Sequence, residues 1–80
     1  MHAKKPTLFF GFPSTAAAME AERVCTAEKA PGRLVPIPRQ ITAGCGLAWM
    51  AEPEDEAFLR AFFAARGLAW DGCTVMEFSR

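Results

Sequence analysis

Apolar residues along the 80-residue chain fall in short blocks, separated by proline, glycine and clusters of charge. Leu8-Phe9-Phe10-Gly11-Phe12 is a continuous apolar, aromatic run stopped by Pro13, and it predicts a buried strand. Ser14 or Thr15 then supplies helix-start chemistry, because a hydroxyl there accepts from the orphan N–H groups of a first turn. The stretch from Thr15 to Lys29 is rich in Ala and Glu, free of Gly and Pro, and predicts a helix. Ala17, Ala21, Val24 and Cys25 share one face at helical spacing, and Pro31-Gly32 ends the element.

Arg33 to Ile37 predicts a second short strand, confined to a sheet edge by Pro36, which has no N–H to donate. Pro38 to Gly44 is a loop. Gly46 to Ala51 is apolar on both alternating sets and predicts a central strand. Glu52-Pro53-Glu54-Asp55-Glu56 opens a second helix, with proline in the first turn and acids at the positive end of the dipole. Its buried stripe is Phe58, Leu59, Phe62 and Phe63, and Gly67 closes it. A last strand lies between Ala69 and Phe78, after a break at Asp71-Gly72.

The order β-α-β-β-α-β predicts an α+β domain of the ferredoxin-like split β-α-β kind. Such a domain is a four-stranded antiparallel sheet with both helices on one face. Right-handed crossovers give the spatial strand order 4-1-3-2. Residues 1–6 read as a flexible N-terminus and residues 7–80 as the single domain. One sheet face is then open, yet strands one, three and four are apolar on both sets (Leu8, Phe9, Phe10; Ala48, Trp49, Met50; Val75, Met76, Phe78). A homodimer through the open sheet face is the expected cover.

Composition narrows the function. The chain is 51% hydrophobic with seven Phe and two Trp, enough for a core. Nine basic residues balance nine acidic ones, so no net field draws it to nucleic acid. No apolar run approaches the roughly 20 residues that span a bilayer. Leu8 to Phe12 is too short for the apolar region of a signal peptide, so the expected location is cytoplasmic. Three cysteines at irregular spacing do not form a disulfide framework, and in a reducing compartment they are free thiols.

Most catalytic constellations are missing. His2 is the single histidine and there is no Cys-x-x-Cys, so neither a Cys-His pair nor a metal site is expected. No cofactor is expected either, since no glycine-rich phosphate loop of known spacing occurs. The acids Glu52, Glu54, Asp55 and Glu56 read as dipole compensation. Cys45 stands out, between Gly44 and Gly46 in the loop that enters the central strand. The first strand ends, the first helix starts and this loop arrives at one edge of the domain. Cys45 is thereby expected near the N–H groups following Ser14 and Thr15 and near Arg39, both of which favour thiolate. The flanking glycines leave the sulfur accessible. Against this, a free cysteine is often simply a small buried hydrophobe, the reading preferred for Cys25. Cys73 is structural, or a resolving thiol if its strand starts at the same edge.

Phe10-Gly11-Phe12-Pro13-Ser14-Thr15, Pro36-Ile37-Pro38-Arg39 and Thr42-Ala43-Gly44-Cys45-Gly46 together resemble the selenium/sulfur carrier-like domains, small bacterial proteins. The resemblance runs from about Thr7 to Phe78. It implies that Cys45 carries sulfur or selenium as a persulfide or selenopersulfide, with donor and acceptor proteins as partners. A carrier of this kind is not a turnover enzyme. The sequence lacks the Cys-Pro-x-Pro of better understood sulfur carriers. A non-catalytic interaction or small regulatory module is the alternative, and a redox sensor built on Cys45 and Cys73 is a third.

Overall fold

The computed structural model describes residues 4–37 and 45–79 of the chain. The elements, in order, are β1 (Lys4–Gly11), α1 (Thr15–Glu28), β2 (Arg33–Pro36), β3 (Leu47–Ala51), α2 (Glu56–Ala65) and β4 (Cys73–Ser79). A 3-10 turn, Pro53–Asp55, precedes α2. The strands form one sheet in the order β2-β3-β1-β4, which reads 4-1-3-2 from its other edge. All three pairings are antiparallel. β2, with its proline, lies at an edge, and the doubly apolar β3 lies inside.

Both helices contribute to one apolar layer on one sheet face. Leu8, Phe10 and Trp49 meet Ala18, Ala21 and Cys25 of α1 and Leu59, Phe62 and Phe63 of α2. Phe10 is the hinge of this layer, edge-on to Phe63 and to Trp70 with ring centroids 5.1 Å apart in both cases. Such pairs contribute about 0.5–1.5 kcal/mol beyond the area they bury. The opposite face carries a smaller cluster of Phe9, Ala48 and Met50, flanked by Val35, Ile37, Met76 and Phe78.

Local chemistry sets the ends of the elements. Ser14 caps α1, its Oγ accepting from the Ala17 N–H at 3.1 Å. Lys29 closes the helix in the left-handed region (φ 58°), and the Ala30 N–H reaches back to the Cys25 carbonyl at 2.9 Å. Glu52 and Asp55 form a reciprocal capping box at the turn before α2. Gly32 (φ 104°) cannot be replaced freely, because a Cβ there would lie 2.4 Å from the Met50 carbonyl oxygen and 2.5 Å from Trp49 Nε1. That close approach lets the Trp49 indole donate to the Pro31 carbonyl at 2.8 Å.

Three expectations change. β1 begins at Lys4, not Leu8, because Lys4, Lys5 and Pro6 pair with Ser79, Phe78 and Glu77. Pro6 is tolerated there because β3 ends at the partner of Leu8, leaving β1 with one neighbour at that level. The buried face of α1 is Ala18, Ala21 and Cys25, with Ala17 and Val24 half-buried beside it. Phe58 is 53% exposed, because Leu59, Phe62 and Phe63 already fill the inner stripe of α2 and it stacks outside them on Phe62. Arg66 forms an ion pair with Glu28, so the C-terminal ends of α1 and α2 meet.

Candidate functional site

The site is built from the turn that feeds β3. Gly11 pairs with Ala48 in the β1–β3 register. Ser14 follows Gly11 by as many residues as Cys45 precedes Ala48, so both belong to the same edge of the sheet. The Ile37 N–H donates to the Gly46 carbonyl at 2.9 Å and ties the turn to the end of β2. Gly46 holds φ 76°, a conformation side chains avoid, and among the described residues nothing beyond its two chain neighbours lies within 4 Å of where its Cβ would stand. That flank of Gly46 is therefore open among the described residues. Cys45 itself is half-buried at the margin of the helix-side core, and its Sγ donates to the Leu47 carbonyl at 3.6 Å.

The remaining expected site residues divide sharply. The Ser14 hydroxyl is engaged as the cap of α1, and Thr15 is the exposed first residue of that helix. Both stand at the edge that Cys45 occupies, but the hydrogen bond of the Cys45 sulfur goes to its own strand rather than to the helix start. Arg39 and Gly44 lie outside the described residues.

Cys25 and Cys73 sit in surroundings that disfavour a thiolate. Cys25 has no exposed surface, and burial pushes its thiol up to about 11, against a weaker opposing pull from Arg66. Cys73 opens β4 opposite Phe10. Burial raises its thiol too, with the Glu56 carboxylate adding to the shift and the Arg60 guanidinium opposing it. Arg60 donates to Glu56 at 2.8 Å and lies over the Trp70 ring at 5.1 Å. This surrounding of Cys73 is the part of the chemistry that sequence reasoning missed. The i,i+4 pair Glu56–Arg60 was readable, but its meeting with Cys73 depends on how α2 crosses the sheet.

The strand that Cys45 leads into and the strand that Cys73 opens are not neighbours. β3 and β4 flank β1 on opposite sides. Two strand spacings separate their backbones by about 10 Å, beyond the Cα separation of about 7 Å that a disulfide can bridge. Among the described residues, no group of three or more His, Cys, Asp or Glu is gathered as a metal site would need. No described helix is long and apolar enough to cross a membrane.

The pattern of a glycine-flanked thiol at a sheet edge next to a capped helix can be compared with known families. The family described as "Putative Se/S carrier protein-like" matches residues 7–74. The chain belongs to this family. The span common to the Se/S carrier-like proteins takes in β1 from Thr7, both helices, β2, β3 and the first two residues of β4, and with them all three cysteines. Comparisons with curated proteins and with solved structures gave no match.

Proposed function

We propose that the chain carries a sulfur or selenium atom on Cys45 between a donor and an acceptor protein. The observation that carries this reading is the half-buried Cys45 beside the open flank of Gly46, in a chain of the Se/S carrier-like family whose other two thiols are both raised by burial. Membership in that family supports donor and acceptor partners of some kind.

The transfer needs little machinery. The Cys45 thiolate attacks the outer sulfur of a donor persulfide, a new S–S bond forms, and the donor thiolate leaves. The product is a Cys45 persulfide, and no oxidant is consumed. The reverse step, with an acceptor thiolate as nucleophile, releases the cargo. Selenium in place of the outer sulfur follows the same course. Neither direction requires a general base or a cofactor, so the protein acts as a carrier rather than a turnover enzyme. In this reading Arg39 and the α1 start at Ser14 and Thr15 hold the anionic chalcogen, and Gly44 and Gly46 leave room for the incoming donor. The strand order and antiparallel pairing support a ferredoxin-like relationship for the fold. A reducing cytoplasm is the compartment in which such a thiol stays available.

Incubation with a small persulfide, followed by intact-mass measurement and peptide mapping, tests the reading. One added sulfur atom is expected on the peptide containing Cys45. The adduct should vanish in Cys45→Ser and persist in Cys25→Ser. Sulfur found on Cys73 or Cys25 in the wild type, with none on Cys45, would sink it.

A further inference from the structure

The two edges of the sheet are unlike. β2 is four residues long and carries Arg33 and Pro36, features that discourage further strand pairing. β4 is seven residues long, Cys73–Ser79, with no proline, no basic residue and one acid, Glu77. It has β1 as its single neighbour, so a full row of backbone donors and acceptors faces outward. Val75 on this strand is 47% exposed, while Met76 and Phe78 are half-buried against the cluster around Phe9. The open sheet face itself offers less than the apolar pattern of its strands implied. Phe9, Ala48 and Met50 are already buried within the chain.

We propose that β4 pairs antiparallel with β4 of a second copy, joining two four-stranded sheets into one about a two-fold axis. An antiparallel strand edge is complementary to itself, which makes a second copy the natural occupant. The register that pairs all seven residues puts Met76 on the axis, with its own copy opposite. Thr74 then faces the partner's Phe78, so the Phe9–Met76–Phe78 cluster continues across the contact. Glu77, the one charge on the strand, faces the partner's Val75 and not its own copy. That register covers Val75 and brings no like charges together.

Val75 is exposed enough to substitute without touching the core, and the register makes its variants differ in sign. Val75→Glu sets two acid pairs opposite one another, whereas Val75→Lys sets two opposite-charge pairs. Sedimentation velocity across a concentration series should show a wild-type dimer and Val75→Glu weaker by roughly ten-fold or more. Val75→Lys should be at least as tight as wild type. The difference between the variants should shrink in high salt. Backbone amide exchange of β4 in the wild type provides a second reading, and it should slow as concentration rises. A wild-type monomer at all concentrations, or equal weakening by both charges, overturns the proposal.

Discussion

Cys25 faces inward from α1 with no exposed surface, Cys45 lies half-buried in the turn before β3, and Cys73 lies half-buried at the start of β4. Only the first of these settings was plain from spacing, since Cys25 falls on the same helical face as Ala21 and cores take small hydrophobes. The raised Cys25 thiol also makes stability depend on pH. Its folded value of about 11 exceeds that of an unfolded thiol, about 8.5. The folded state therefore keeps the proton longer, and stability falls as pH rises from about 8.5 until it levels near 11. The slope for one such group is at most about 1.4 kcal/mol per pH unit. Cys73 is shifted in the same direction and adds to it. The chain has no tyrosine to titrate in that range. Urea midpoints measured at a series of pH values should decline over this window, and Cys25→Ala should flatten the decline. An equal slope in that variant would remove Cys25 as the cause.

At the scale of elements, proline, glycine and helical spacing made most of the chain legible. Pro13 and Ser14 mark the start of α1, Pro36 marks an edge strand, and Gly67 (φ 65°) follows α2 in a left-handed conformation. What spacing hid were features created by contact between distant segments. Lys4–Pro6 read as loose polar sequence, yet they extend β1 because the last residues of β4 pair with them. Gly32 read as a helix stop, yet its weight lies in the approach of its backbone to Trp49 and Met50. Gly32→Ala should therefore cost more than about 2 kcal/mol, through strain at positive φ and displacement of the Trp49–Pro31 hydrogen bond. Gly46→Ala meets nothing beyond its chain neighbours among the described residues and should cost less, about 1 kcal/mol. Chemical denaturation of the two variants measures the gap, and equal losses would show that crowding at Gly32 is not limiting.

For the whole molecule, the strand order followed from the element order, because right-handed crossovers leave few ways to close a four-stranded sheet. The relation of the two helices did not follow. It is expressed in the Glu28–Arg66 pair, which joins residues far apart in sequence and brings two C-terminal ends together. The candidate site was legible to the same partial degree. Cys45, Ser14 and Thr15 reach one edge through the β1–β3 register, while the surroundings of Cys73 come from α2 crossing toward β4.

The central claim is that Cys45 is the working thiol, and its rate of alkylation beside those of Cys25 and Cys73 tests it most directly. A small reagent at neutral pH, followed by peptide mass spectrometry, reads all three rates in one sample. Cys45 should react fastest and Cys25, with no exposed surface and a thiol raised by burial, slowest; the role proposed for Arg39 predicts that Arg39→Ala slows Cys45. If Cys73 outpaces Cys45, or Cys45 stays unmodified while the protein is folded, Cys45 is a packing residue and the carrier reading loses its chemical basis.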